Sequence, residues 1–278
     1  MTSPTERDDD RDLSVTALFT AEVWASHGIK GSQWFSNRQT RTVYRVVRWF
    51  LFIQRCFRWG LPRLREGLIQ RHVCIDQLIF EKPAEHIVEV ASGMSSRFCR
   101  VLESQDVQTY SEIDLPGMSC EKDCQLRASD GSHWLEDKRF IRLSGDVKNI
   151  STIIEQPPAG RLDVIAEGLF MYFRPSERID IFTSIATIIK SAGEGRLIFD
   201  LLPPTEEPPP GLLGKLLAKL MRWMTRGGNF DRSPQTREDI KNDLIRSGFN
   251  EVEIICPATY TGLFPDVETR QVIFVARP

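Results

Sequence analysis

The feature that most limits how this chain can fold is an alternation. Short apolar runs at residues 86–90, 109–113, 140–143, 162–166 and 196–201 are separated by stretches with helical spacing. Neighbouring parallel strands need a crossover connection, usually a helix, so runs of this length interrupted in this way predict a parallel sheet covered by helices. Two further runs, 252–256 and 271–276, lie too close together for a crossover and predict an antiparallel hairpin at the end of the chain. The fold class predicted is α/β, with seven strands, mostly parallel, and an N-terminal helical cap.

The cap is read from residues 13–80, where Val15, Leu18, Phe19 and Val23 recur at helical spacing. Before it, residues 1–12 set Asp8, Asp9, Asp10 and Asp12 among arginines with almost nothing to bury, which predicts a solvated tail. The stretch RTVYRVVRWFLFIQRCFRW, residues 41–59, joins Trp49, Phe50, Phe52, Phe57 and Trp59 to arginines. Core packing is its first reading, a lid over a lipophilic substrate its second and contact with a membrane surface its third.

The sheet domain is predicted to occupy residues 81–278, with an insertion at 203–232. PPTEEPPP opens the insertion as a stiff connector, since proline lacks a donor and restricts its predecessor. GLLGKLLAKLMRW then predicts an amphipathic helix with Leu213, Leu216, Leu217, Leu220 and Met221 on one face. Ser233-Pro234 as a start, Ile240, Leu244 and Ile245 at helical spacing and Gly248 as a stop predict a further helix before the hairpin.

Composition excludes more than it selects. With 278 residues, 41% hydrophobic and 27% charged, the chain fits one large globular unit, neither disordered nor membrane-spanning. A formal charge of -2 supplies no field to gather nucleic acid. Six scattered cysteines and an N-terminus without a secretory pattern predict a reducing, cytoplasmic setting. Cys120 and Cys124 stand one helical turn apart without a second pair at zinc spacing, so no metal site is expected.

The run 86–90 leads into Ala91-Ser92-Gly93-Met94-Ser95-Ser96, small residues where a backbone can approach a ligand closely. Such a turn alone is a weak signal. The next run, however, ends in Glu112-Ile113-Asp114-Leu115-Pro116, which puts an acidic group beyond a strand end about 20 residues later, as ribose recognition requires. Asp114 also reads as an N-cap for a helix starting near Pro116; its combination with the turn favours the ligand.

EVASGMSSRF, YSEIDLPGMSCEK and DVIAEGLFMYFRPSE resemble, in order and spacing, the leucine carboxyl methyltransferase and polyketide O-methyltransferase-like family. The resemblance runs from LSVTALFTAEVWASHG through QRHVCID to SPQTREDIKNDLIRSGF, nearly the whole chain. It implies a Rossmann-like class I methyltransferase fold binding S-adenosyl-L-methionine (SAM). On this resemblance Gly93 lies beneath the methionine moiety, Asp114 holds the ribose and Asp146-Val147 flanks the adenine, with Glu89, Ala91 and Leu115 also among the cofactor-binding residues. Arg71 reaches the methionine carboxylate, and Glu167 faces the cofactor amino group or the substrate. The chain departs from the family at Ala91, where glycine is usual, and at Ser95-Ser96-Arg97, where Asp-Thr-Arg is common. Ala91 adds one methyl where glycine is usual, which is tolerable only if the local backbone stays at negative φ.

Methyl transfer from a sulfonium mainly needs alignment and exclusion of water, so no catalytic residue is assigned. His27 and His133 are read as structural before they are read as bases, while Phe170, Tyr172 and His27 are candidates to border the acceptor. The expected activity is O-methylation of a hydroxyl or carboxyl oxygen on a small, fairly apolar metabolite. Its alternatives are carboxyl methylation of a peptide or protein terminus, using a cationic pocket around Arg71, and a methyltransferase-fold protein without transfer that acts as a binding partner or cyclisation catalyst. Expected partners are a small-molecule substrate, with no nucleic acid and no stable membrane insertion.

Overall fold

A computed structural model describes residues 17–46, 64–104, 106–203, 205, 234–267 and 271–278. The strands are β1 (His86–Val90), β2 (Thr109–Asp114), β3 (Phe140–Ser144), β4 (Gly160–Ala166), β5 (Gly193–Leu201), β6 (Glu251–Ile255) and β7 (Val272–Arg277). They form one seven-stranded sheet in the order β3-β2-β1-β4-β5-β7-β6. β1 to β5 pair in parallel, and β7 runs antiparallel between β5 and β6. All seven strands lie where the alternation places them.

Register sets the working edge. Val90 is level with Ile113 and Ala166, and Ala166 with Phe199. The residues just beyond, Ala91, Asp114, Glu167 and Asp200, therefore emerge together at the carboxyl ends of β1, β2, β4 and β5.

The sheet is covered on both faces. Val88, Val90, Val164, Ala166, Leu197 and Phe199 pack under α5 (Pro175–Ala192) and α6 (Arg237–Arg246), while Ile87, Ile165 and Ile198 face α1 (Leu64–Glu81) and α2 (Arg97–Ser104). Side chains alternate between faces along a strand, so strands buried on both sides read as continuous apolar runs. The same alternation puts Glu89 on the face of Ile87, toward α1 and α2. α3 (Pro116–Arg127) follows β2, α4 (Ile150–Ile153) follows β3 and α7 (Pro257–Thr261) joins β6 to β7.

One local expectation changes. α6 is capped by Thr236, not by Ser233-Pro234: the Thr236 hydroxyl accepts from the Asp239 N–H and the Asp239 carboxylate accepts from the Thr236 N–H. A reciprocal cap of this kind satisfies two otherwise orphaned donors, which Pro234 has no means to do. The β6–β7 connection holds a five-residue helix, α7, with proline at its first turn, far too short for a parallel crossover.

Of the predicted cap, residues 17–27 and 38–46 and α1 are helical. Phe19, Val23, Leu68 and Ile69 form a satellite core with Val43, Tyr44, Leu263 and Phe264 against it. The tail 1–12, most of the aromatic and basic run 41–59 and the helix expected at 211–223 fall outside the described residues. Among the described residues no helix is long and apolar enough to cross a membrane.

Candidate functional site

The turn after β1 is fixed from below. Ala91 N–H donates to the Ile113 carbonyl at 2.7 Å, and both Ala91 and Gly93 adopt φ +51°. The condition set for the Ala91 methyl, a negative φ, is thus not met. Its bond across to β2 and the tightness of the turn impose the left-handed conformation on a residue whose Cβ resists it. An ideal Cβ built at Gly93 would meet only the Ala17 side chain, at 3.4 Å, so the turn leaves room at its apex.

Asp114 closes onto this turn. Its Oδ2 accepts from Gly93 N–H at 2.7 Å and its Oδ1 from Leu115 N–H at 2.8 Å. Leu115, not Asp114, is the N-cap residue of α3, which removes the simple capping reading. Burial pushes the Asp114 carboxyl above its ordinary value, while the Gly93 and Leu115 amides act to lower it. Each carboxylate oxygen has two lone pairs, so both can accept one further hydrogen bond.

Across the edge lies a buried ionic lattice. Arg71 of α1 donates through Nε to Glu167 Oε1 at 2.9 Å and through Nη1 to Asp200 Oδ2 at 3.1 Å. Asp200 also accepts from Gly168 N–H and from the Gln271 side chain. Gly168 has φ +70°, and a Cβ there would approach Arg71 Nη2 to 3.4 Å, so glycine both permits the turn and leaves that guanidinium face clear. Arg97, the first residue of α2 and fully buried, donates to Asp76 at 2.6 Å, to Glu167 at 2.7 Å and to Glu89. Glu89 takes a further hydrogen bond from the Tyr110 hydroxyl at 2.6 Å. Removing one member of a buried pair strands the other, at a cost of about 3–5 kcal/mol.

Burial acts to raise the Glu167 carboxyl, but the hydrogen bond from His72 and the charges of Arg71 and Arg97 outweigh it and hold the group well below its ordinary value. Burial is the main cause that lowers His72, whose ring lies under Trp24 with centroids 4.3 Å apart. Glu167 is therefore an anion at neutral pH and His72 a neutral imidazole.

The sites expected from sequence distribute unevenly. Arg71, Ala91, Gly93, Asp114, Leu115 and Glu167 share the carboxyl edge. Glu89 is sealed beneath it, with Arg97 and Tyr110 on its oxygens, and acts on the edge through Arg97. Gly145 N–H donates to the Asp114 carbonyl at 2.9 Å, which brings the loop after β3 to the same rim. There Asp146 is exposed and accepts from Lys148 N–H at 2.9 Å, while the Val147 side chain turns into the core with Val90 and Ile113.

Phe170 is a correction. It has no exposed surface and packs against Phe182 and Phe199, with centroids 4.8 and 4.9 Å away, so core filling claims it and the acceptor border loses it. Tyr172 is half-buried. His27 is exposed and lies 5.9 Å from the Phe264 ring, while His133 is exposed and bonded to the Asp130 carbonyl. Sequence reasoning passed over His72, Asp76, Arg100, Asp200 and Gln271. Two signals were legible: His72 and Asp76 stand in the QRHVCID motif, and Asp200 interrupts an apolar strand.

No family model matches the chain, and no curated protein matches it by sequence. Solved structures do match. A candidate O-methyltransferase from Nostoc punctiforme PCC 73102 is 12% identical with a TM-score of 0.51, over 77% of this chain and 60% of that one. An O-methyltransferase family protein from Burkholderia thailandensis is 14% identical with a TM-score of 0.51, over the same 77% and 60%. LaPhzM is 15% identical with a TM-score of 0.50, over 94% and 70%. This chain has a methyltransferase fold. The likeness is one of fold, and the chain spans about three fifths of the length of the first two structures.

Proposed function

We propose that the chain is a SAM-dependent O-methyltransferase acting on a small, fairly apolar metabolite. The observation that carries this reading is the 2.7 Å contact of Gly93 N–H with the Asp114 carboxylate at the carboxyl edge, the place where open α/β sheets bind nucleosides.

The donor set fits the cofactor piece by piece. Asp114 retains acceptor capacity for ribose hydroxyls, Arg71 offers a cation to the methionine carboxylate, and Glu167 offers an anion to its ammonium. SAM supplies an electrophilic methyl group, and the chain supplies grip, alignment and exclusion of water. The finer assignment, to the leucine carboxyl methyltransferase and polyketide O-methyltransferase-like family, rests on the motifs around Gly93, Asp114 and Glu167. A cytoplasmic setting rests on the scattered cysteines.

Methylation of a carboxylate acceptor is disfavoured as a second reading. It needs a second cation beside Arg71, which the cofactor carboxylate, Glu167 and Asp200 already engage. Titration calorimetry with SAM and with S-adenosylhomocysteine tests the proposal, followed by a methyl-transfer screen against phenols, alcohols and carboxylic acids. Binding of both nucleosides with transfer to a hydroxyl supports it; binding of neither removes the cofactor and the activity together.

A further inference from the structure

We propose that His72 is a positioning residue for Glu167, directing the one uncommitted lone pair of that carboxylate at a primary ammonium on the ligand. The inference rests on the reading that this edge takes SAM, and it adds a residue and a selectivity to it.

The argument is one of counting donors. Arg100 Nη2 lies 2.7 Å from His72 Nε2, and a guanidinium nitrogen only donates, so Nε2 must accept. In a neutral ring the proton is then on Nδ1, which lies 2.8 Å from Glu167 Oε2 and donates to it. Arg97 Nη2 lies 3.0 Å from Nδ1 and 2.7 Å from the same Oε2, and it donates to the oxygen, because Nε2 has only the Arg100 donor before it and the ring proton is therefore on Nδ1. The other oxygen, Oε1, accepts from Arg71 Nε at 2.9 Å.

A carboxylate has about four acceptor sites. With both sites of Oε2 filled and one of Oε1 filled, a single site on Oε1 is left for a donor from outside. Without the His72 proton, Oε2 regains a free site, so the carboxylate is held by the two guanidiniums alone and offers two open sites instead of one. Trp24 packed at a tilt against the imidazole and Arg100 on its far nitrogen hold the ring in place. Arg100 is in turn held by Asp76, so the ring's orientation is built from two helices and the cap.

The chemistry that fits the remaining site is an α-ammonium, as in the amino-acid end of the cofactor, and not the nucleoside. Two probes separate these: S-adenosylhomocysteine carries the ammonium, and 5′-methylthioadenosine lacks the whole amino-acid end. Two substitutions separate the ring nitrogens. His72→Asn keeps an amide N–H near the place of Nδ1, and His72→Gln offers its amide near the place of Nε2.

Calorimetry on the full chain is expected to show His72→Asn binding S-adenosylhomocysteine within about threefold of wild type, and His72→Gln binding it roughly tenfold or more weakly, the worth of one charge-assisted hydrogen bond. Both variants should bind methylthioadenosine like wild type. Equal binding of S-adenosylhomocysteine by His72→Gln and wild type overturns the proposal, as does a parallel loss of both probes. Wild type that binds neither probe sinks the cofactor reading and the proposal with it. The nitrogen-15 shifts of His72 in wild type give a test that needs no variant to fold: an Nδ1–H tautomer at neutral pH supports the assignment, and an Nε2–H tautomer refutes it.

Discussion

Replacing Ala91 by glycine should stabilise this protein. Ala91 stands at φ +51°, and a left-handed conformation costs an L-residue about 1–2 kcal/mol. Glycine escapes that cost but adds about 0.4–1 kcal/mol of unfolded-state entropy. The difference leaves Ala91→Gly more stable by about 0.5–1 kcal/mol, a rise in melting temperature of roughly 2–3 °C for a chain of this size. Ala128 serves as the control, since it is exposed at φ −85° and glycine there keeps only the entropic cost. Ala128→Gly should therefore lose about 0.4–1 kcal/mol. Urea unfolding monitored by circular dichroism measures both. A lower midpoint for Ala91→Gly, or equal losses in the two variants, would refute the claim that the turn holds Ala91 against its preference.

Other consequences follow from the same geometry. Asp114→Ala should weaken S-adenosylhomocysteine binding by about 1–3 kcal/mol through lost charged hydrogen bonds, read by calorimetry; unchanged affinity would take Asp114 out of the site. Stability should fall on acidification. His72, depressed from 6.5 by burial, stays neutral when folded, so its contribution is present above that ordinary value and lost as pH drops below it toward the folded value. Glu167, held well below 4.5, adds a loss of the same sign below that pH. Melting temperatures of wild type and His72→Asn at pH 7.5 and 5.5 test the first step: the difference between the two pH values should shrink in the variant. Burial pushes the Cys74 and Cys99 thiols up to about 12 and about 11, whereas Cys120 and Cys124 are exposed. Brief alkylation at neutral pH, mapped by peptide mass, should therefore mark Cys120 and Cys124 and spare Cys74 and Cys99 until urea is added.

The sheet was legible because strands buried on both faces leave a continuous apolar record, and because each boundary carries a glycine, a proline or an acidic residue. Asp114 and Gly93 were legible together for a related reason: a strand end and the following turn are close in sequence, and parallel register aligns two such ends. The ionic lattice is written differently. Its members come from α1, β1, α2, β2, the segment after β4, β5 and the residue before β7, scattered polar residues in otherwise ordinary text. Arg97 and Arg100 meet their partners only where α2 is laid over Glu89 and Asp76. Ala91 and Phe170 misled for opposite reasons. At Ala91 the hydrogen bond to Ile113 overrode local preference, and at Phe170 the demand of α5 for an aromatic neighbour overrode a site's claim.

The charges of the lattice favour a particular kind of ligand. Three guanidiniums, from Arg71, Arg97 and Arg100, face four carboxylates, from Asp76, Glu89, Glu167 and Asp200. With His72 neutral, the excess is one negative charge in a largely buried region. A simple anion entering beside Arg71 would compete with Glu167 and Asp200 and deepen that excess, which low dielectric makes costly. An amino acid brings an anion for Arg71 and a cation for Glu167 in one molecule, so each new charge meets its opposite and the balance is unchanged. A sulfonium adds one positive charge, the sign the lattice lacks. Net charge, and not any single contact, is therefore what sets a cationic zwitterion apart from a carboxylate at this edge.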